Sequence, residues 1–212
     1  ALLLLLWPRR ASAMTSSYAQ FARAVPREAQ PYAAVYLRVA RGRQIDPNLL
    51  VAVAMRESRS GAAIGGPGGT GDYGHGHGIM QIDDRSFTKW LAENAWGDPL
   101  TNIRKGADVL KAKISFLAGR SQVAGLVQNG IVTVGSRVAT KVGVAPGNYP
   151  DPRPLSGDRL MRAALAAYNA GEGTVLQAVA AGRDPDPLTA NANYASDVIA
   201  RAGQIASAAR AA

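Results

Sequence analysis

The stretch that most restricts the fold is Leu49 to Met55, a run of apolar residues too greasy for a surface element. Asp46-Pro47 stands just before it. An Asp side chain can accept a first-turn N–H, and proline's fixed φ suits the first helical position, so the pair predicts a helix start. A helix apolar nearly all round is normally buried at the centre of a domain. This one runs into Arg56-Glu57-Ser58 and then a glycine-rich stretch, so a carboxyl group is carried on an otherwise apolar rod.

The other elements follow from spacing. Tyr32, Val35, Tyr36 and Val39 repeat at three and four, predicting a helix from Pro26 to Arg41 with Gly42 as its stop. Asp98-Pro99 repeats the cap-and-proline signal ahead of Leu100, Ile103, Ala107, Leu110, Ile114 and Leu117, a helix predicted to end at Gly119. Further helices are predicted over Arg159–Ala170, stopped by Gly171, over Val175–Ala181, and over Tyr194–Ala209. Gly61 to Gly78 reads as loop with room for short strands, and Ile79 to Asp83 as a short strand beside the buried helix. Ser121 to Gly157, rich in Gly, Val and Pro, reads as a partly ordered insertion between core helices.

Composition agrees with helices. The apolar content is dominated by Ala, and aromatics make up only 6% of the 212 residues, which favours close helix packing over a sandwich of aromatic and β-branched strands. The expected class is therefore mainly α. The division expected is an N-terminal tail over 1–25 and one domain over 26–212 carrying the insertion at about 121–157. Ala1 to Trp7 is far shorter than the ~20 apolar residues of a membrane span. It reads either as the remnant of a signal-peptide apolar region, with Ala11-Ser12-Ala13 as a small-residue cleavage site, or as a frayed terminus. No transmembrane segment is expected. Cysteine is absent, which excludes disulfides, thiolate metal sites and a cysteine nucleophile.

Twenty-four Lys and Arg against 15 acidic residues give a net charge of +9, a field that attracts anionic polymers. Nucleic-acid readers usually show a basic stripe or a recognition motif, whereas the Arg residues here are scattered with no such signature, and the anionic polymer of the bacterial wall fits the charge equally well.

The chemistry-bearing residues cluster. Glu57 lies on the same helical side as Leu50, Val53 and Ala54. Removal from water disfavours a charged carboxyl and lets it keep a proton for general-acid work; a solvated Glu paired with Arg56 or Arg59 is the plainer reading. Asp72 and Asp83 lie in and just beyond the glycine-rich loop, where backbone approaches a ligand closely and either side chain can orient water, or serve a turn or a cap. His75-Gly76-His77 has too few partners for a metal site and is expected to line a saccharide cleft or satisfy loop carbonyls. No cofactor is expected. Tyr168-Asn169-Ala170-Gly171 ends a helix with a ring and an amide that suit a sugar, or that simply cap the helix.

Taken together and in order, four motifs resemble the goose-type lysozymes and the soluble lytic transglycosylases. They are Ala54-Met55-Arg56-Glu57-Ser58, Gly71-Asp72 followed by Gly74, Gly76 and Gly78-Ile79-Met80-Gln81-Ile82-Asp83, Ala167-Tyr168-Asn169-Ala170-Gly171, and Tyr194-Ala195-Ser196-Asp197-Val198. The resemblance covers about residues 46 to 205 apart from the insertion, which is longer than the family usually shows. It implies a mainly helical lysozyme-like fold with a small β element beside the cleft, and a substrate of alternating N-acetylmuramic acid and N-acetylglucosamine. By the same resemblance Glu57 is the general acid, Asp72 and Asp83 hold the hydrolytic water of an inverting hydrolase, and Gln81, Tyr168, Asn169 and Tyr194 contact sugar. Two departures stand out: Phe87 replaces a His that goose-type members often carry, and the loop between Glu57 and Asp72 is slightly longer. A lytic transglycosylase leaving anhydro-muramic ends is the alternative enzyme, and a non-catalytic cationic wall-binding module the alternative to catalysis. The resemblance further implies a monomer acting on peptidoglycan as a secreted, periplasmic or wall-associated protein.

Overall fold

The computed structural model describes residues 18–118, 127–128, 131–134, 137–141, 155–180 and 183–212. The chain divides into two compact units, one of Ser12–Lys111 with Asp197–Ala212, the other including Ala112–Ser196. The cleavage-site pattern Ala11-Ser12-Ala13 and most of the insertion lie outside the described residues.

The first unit opens with helix α1 (Tyr18–Ala24), inside the segment expected as a tail; Phe21 and the following Val25 are buried, which anchors it against α2 (Ala33–Arg43). The helix expected over Pro26–Arg41 is this α2, entered through a short 3-10 turn at Gln30–Tyr32. It runs through Gly42 and stops instead at Gln44, whose φ of 55° closes the helix with its N–H on the Ala40 and Arg41 carbonyls. A Cβ at Gly42 would meet nothing within 4 Å beyond its neighbours and the helix's own backbone, so no close packing requires glycine there.

Helix α3 (Pro47–Ser58) starts as the sequence predicts. The Asp46 carboxylate accepts the Asn48 backbone N–H at 2.8 Å and Pro47 occupies the first turn. Leu49 to Met55 are all buried, and α2 packs against the helix. Three short strands follow, β1 (Thr70–Gly71), β2 (Gly76–His77) and β3 (Ile82–Asp83), in one antiparallel sheet ordered β1-β2-β3. The strand expected over Ile79–Asp83 is thus confined to its last two residues, because Gly78 and Gln81 take left-handed conformations (φ 71° and 47°) that bend the chain before it can pair.

Helix α4 (Asp84–Glu93) has no counterpart in the sequence reading: its apolar stripe, Phe87, Trp90 and Leu91 at three and four, spans barely one turn, and none of its residues is buried. Helix α5 (Pro99–Ala118) begins at the predicted cap, with Asp98 accepting from the Thr101 N–H and hydroxyl at 2.8 and 2.7 Å. Ile103, Ala107 and Leu110 of this unit are fully buried. Helix α8 (Tyr194–Ala211) supplies the rest of the first unit from Asp197 onward.

In the second unit, the region expected as an insertion carries an antiparallel sheet of β4 (Val127–Gln128), β5 (Ile131–Val134) and β6 (Arg137–Lys141). Its β-branched residues, a run at Ile131-Val132-Thr133-Val134 and an alternation at Arg137-Val138-Ala139-Thr140, are the signal that a glycine-and-proline reading passes over. Helix α6 (Gly157–Ala170), ended at Gly171 as predicted, packs with α7 (Glu172–Ala180). A buried carboxylate organises the turn that follows: Asp186, 2% exposed, accepts the Ala195 and Ser196 N–H groups at 2.7 and 2.9 Å and pairs with Arg162 at 2.9 Å. It caps the start of α8. The mainly helical class with one small three-stranded sheet in the first unit is as the sequence implies.

Candidate active site

Glu57 occupies the last turn of α3 and is half-buried, above Leu50, Val53 and Ala54, which have no exposed surface at all. Its two basic neighbours are both drawn elsewhere in part: Arg59 bonds Glu28, and Arg56 bonds Asp197 at 3.2 Å. The helix end is fixed from two sides. Ser58 donates its hydroxyl to the Ile79 carbonyl at 2.7 Å and accepts the Gly61 N–H at 2.8 Å, while Ser60 bonds the Tyr36 hydroxyl at 3.0 Å. Ser58 therefore ties the residue beside Glu57 to the turn that leads into β3.

That turn is held in its own right by Asn102, a fully buried residue of α5. Its Oδ1 accepts the Met80 N–H at 2.8 Å and its Nδ2 donates to the His77 carbonyl at 3.0 Å. Gly78 is required between those two points, since a Cβ there would stand 2.3 Å from Asn102 Nδ2 and its φ is 71°. Gln81 folds back to donate to the Gly78 carbonyl at 2.8 Å, and its Oε1 sits where a Cβ on Gly71 or Gly76 would be, at 2.2 and 2.3 Å. The two glycines of the sheet thus make room for one carboxamide. From Ile79 to Asp83 there are four residues of chain, at most ~14 Å if fully extended, so the Ser58 bond keeps Asp83 in the neighbourhood of the α3 terminus.

Asp72 and Asp83 are brought together by a residue the sequence reading did not single out. Arg85 places Nε 2.7 Å from Asp83 Oδ1 and Nη2 2.8 Å from Asp72 Oδ2, and Ser86 donates to Asp83 Oδ2 at 2.8 Å. Partial burial pushes the Asp83 carboxyl up, but the hydrogen bonds and charge of Arg85 with the Ser86 hydroxyl outweigh it and hold Asp83 below its ordinary value. One guanidinium thus keeps two carboxylates side by side, with Asp83 in its ionised form.

His75 and His77 are both turned toward a third carboxylate, Asp84. His75 Nδ1 lies 2.9 Å from Asp84 Oδ1 and His77 Nε2 3.6 Å from Oδ2. The His75 hydrogen bond, against slight desolvation, holds Asp84 below its ordinary value. His77 also meets Trp96 edge-on, ring centroids 4.7 Å apart. The pair braces the start of α4.

Among the described residues eight non-glycine positions have left-handed backbone, and Arg59, Ser60, Asp72, Tyr73 and Gln81 are five of them. Such conformations persist only where the surroundings over-determine them. Their concentration on the segments bearing Glu57, Asp72 and Asp83 marks those segments as the built part of this unit.

The second unit carries the remaining candidates. Asn169, exposed at the end of α6, accepts the Ala190 N–H at 2.8 Å through Oδ1, which leaves its NH₂ arm directed elsewhere. Tyr168 is half-buried. Tyr194 is 1% exposed and packs as a core residue at the start of α8, its N–H on Thr189 Oγ1 at 3.0 Å.

Comparisons with known proteins bear on this arrangement. The family model described as lysozyme g matches residues 10–124. A lysozyme g of Casuarius casuarius is 27% identical over 161 residues, covering 74% of this chain and 63% of that protein. A lysozyme g of Cyprinus carpio is 27% identical over 173 residues, covering 82% of this chain and 71% of that protein. A glycine, glutamate and proline-rich protein of Lottia gigantea is 26% identical over 174 residues, 82% of this chain but 33% of its own length. The chain spans less than two thirds of the first of these relatives.

Proposed function

The chain belongs to the lysozyme g family, and from that premise we propose that it is a muramidase, hydrolysing the β-1,4 bond between N-acetylmuramic acid and N-acetylglucosamine of peptidoglycan. The observation that carries the reading is the Arg85 bridge. A pair of carboxylates held together and, at Asp83, kept ionised is suited to orient a water, and the turn bearing it is bonded to the helix that ends in Glu57.

In this mechanism Glu57 gives its proton to the glycosidic oxygen as the bond to the leaving sugar breaks. It stands above fully buried aliphatic side chains, which keep water from that side of the carboxyl. A water held by Asp72 and Asp83 attacks the anomeric carbon from the opposite face and delivers its proton to the carboxylate pair, so the configuration inverts. Inverting enzymes need a gap of roughly 6.5–9.5 Å between acid and base, the width of that water. Gln81, His75 and His77 border this region in the first unit, and on the resemblance alone Tyr168 and Asn169 are assigned to glycan contact in the second. Tyr194, assigned to sugar by the same resemblance, is buried in the core instead. A net charge of +9 draws the protein to the anionic wall, outside the membrane, where such a substrate lies.

The test is the chemistry of the new chain end. Hydrolysis leaves reducing muramic acid, whereas a lytic transglycosylase leaves an anhydro end one water lighter. The presence of both aspartates favours the first.

The bridge also predicts a pH effect. Without Arg85 the burial of Asp83 is left unopposed by its main partner, so its folded pKa rises. Arg85→Ala should therefore move the acid limb of kcat/KM on peptidoglycan to higher pH, because the water-holding carboxylate becomes protonated sooner as pH falls. A limb that stays in place contradicts the assignment of Asp83.

A further inference from the structure

Lys105, on α5, is held by aromatic rings and not by an ion pair. Its ammonium lies 3.9 Å from the centre of the Phe87 ring and 5.3 Å from that of Trp90. The nearest acid along its own helix, Asp108, is held by Arg43 at 3.0 Å. Lys89 and Glu93, on the facing helix, stand 3.8 Å from each other. Among the described residues no carboxylate comes within ion-pair distance of Lys105, so a half-buried cation rests on two aromatic faces without an anion. Burial pushes its pKa down, with Asp108 pulling the other way.

Phe87 and Trp90 belong to an open depression on α4, lined also by Ser86, Thr88, Lys89 and Glu93. A break in helical geometry at Phe87 (φ −131°, ψ 31°) interrupts the first turns of α4 within it. Ser86 is shared: it lines the depression and donates to Asp83 Oδ2 at 2.8 Å. The depression therefore begins at the side chain that steadies the proposed water-holding carboxylate.

We propose that Lys105, seated on Phe87 and Trp90, anchors a carboxylate carried by the glycan strand, so that the chain prefers carboxylate-bearing muramic residues to neutral sugar. The inference rests on the muramidase reading and deepens it. A lysine offers three donors and a point charge, and partial removal from water strengthens its attraction for an anion that arrives with part of its own hydration stripped. The rings keep the cation in place beforehand, which lowers the ordering cost of binding. The carboxylate is either that of the stem peptide or the lactyl group bared when the peptide is removed, and the chemistry is the same.

Three substrates with one glycan backbone separate the cases: intact peptidoglycan, the same material with its carboxylates capped as methylamides, and material stripped of peptide by an amidase. The readout is the ratio of kcat/KM on each carboxylate-bearing form to that on the capped form, for wild type, Lys105→Gln and Lys105→Arg. Lys105→Gln should lower that ratio by about five- to tenfold, chiefly through KM, as expected for one charged hydrogen bond, and Lys105→Arg should restore most of it. A fall on intact material assigns the stem carboxylate, and a fall confined to stripped material assigns the lactyl group. A ratio that does not change, or one that Lys105→Arg leaves as low as Lys105→Gln, overturns the proposal and leaves Lys105 as a packing residue. Wild-type protein that cleaves none of the three overturns the muramidase reading itself, and that result is seen before any variant is compared.

Discussion

Glu57→Gln is expected to slow the clearing of a peptidoglycan suspension by about a thousandfold, within the 10²–10⁴ range that a general acid contributes. The substitution keeps the size and hydrogen-bonding reach of the side chain but removes the transferable proton. Because Glu57 is half-buried at a helix end while the apolar residues beneath it are untouched, thermal unfolding should stay within a few degrees of wild type. The two measurements belong together. Lost turnover with retained stability isolates the chemistry, whereas equal clearing by both proteins contradicts the assignment of the acid.

The second large effect falls on stability. Asn102→Ala removes both bonds that fix the Gly78–Gln81 turn and leaves the Met80 N–H and the His77 carbonyl without that partner in a buried setting. Each orphaned group costs about 1–3 kcal/mol, so the variant should lose roughly 2–5 kcal/mol. For a protein of this size that is on the order of 5–15 °C in Tm. Activity should fall as well, because Gln81 and Asp83 are carried by the turn that Asn102 steadies. Arg104→Ala, an exposed neighbour on the same helix, is the control and should shift stability by no more than about 0.5 kcal/mol. A Tm for Asn102→Ala equal to that of the control contradicts the structural role given to the amide.

Much of the first unit could be read from local chemistry. Asp46-Pro47 and Asp98-Pro99 announced helix starts because a cap is a contact between residues close in sequence. The all-apolar run of α3 announced burial because no other environment accepts it. What escaped depends on partners far along the chain or on elements with little apolar character. Helix α4 buries none of its residues, and its apolar repeat, Phe87, Trp90 and Leu91, is too short to stand out along the chain. Gly42, a usual stop, stayed helical because the chain could turn two residues later at Gln44 instead. The hairpin strands of the second unit were written in β-branched residues, within a stretch whose glycines and prolines suggested a partly ordered insertion.

The site divides in the same way. Glu57, Asp72 and Asp83 stood out as candidates because carboxylates next to apolar or glycine-rich stretches carry recognisable chemistry. Arg85, Ser58 and Asn102 were not, since nothing in an Arg, Ser or Asn reveals which distant carboxylate or carbonyl it will meet. Arg85 had one local signal, its position two residues after Asp83, the i to i+2 reach by which the two side chains do bond. The histidines show the converse: their spacing drew attention to a ligand, and the structure gives them Asp84 as their common partner.

The central claim is that Glu57 donates a proton while water held by Asp72 and Asp83 attacks from the other face. It is tested most directly by digesting purified peptidoglycan in ¹⁸O-enriched water and following the newly formed muramic acid ends by mass spectrometry and early-time NMR. The account predicts a heavy oxygen at the anomeric carbon of each new end, first seen as the inverted α anomer. Unlabelled anhydro ends, or labelled ends that first appear as the β anomer, would contradict it.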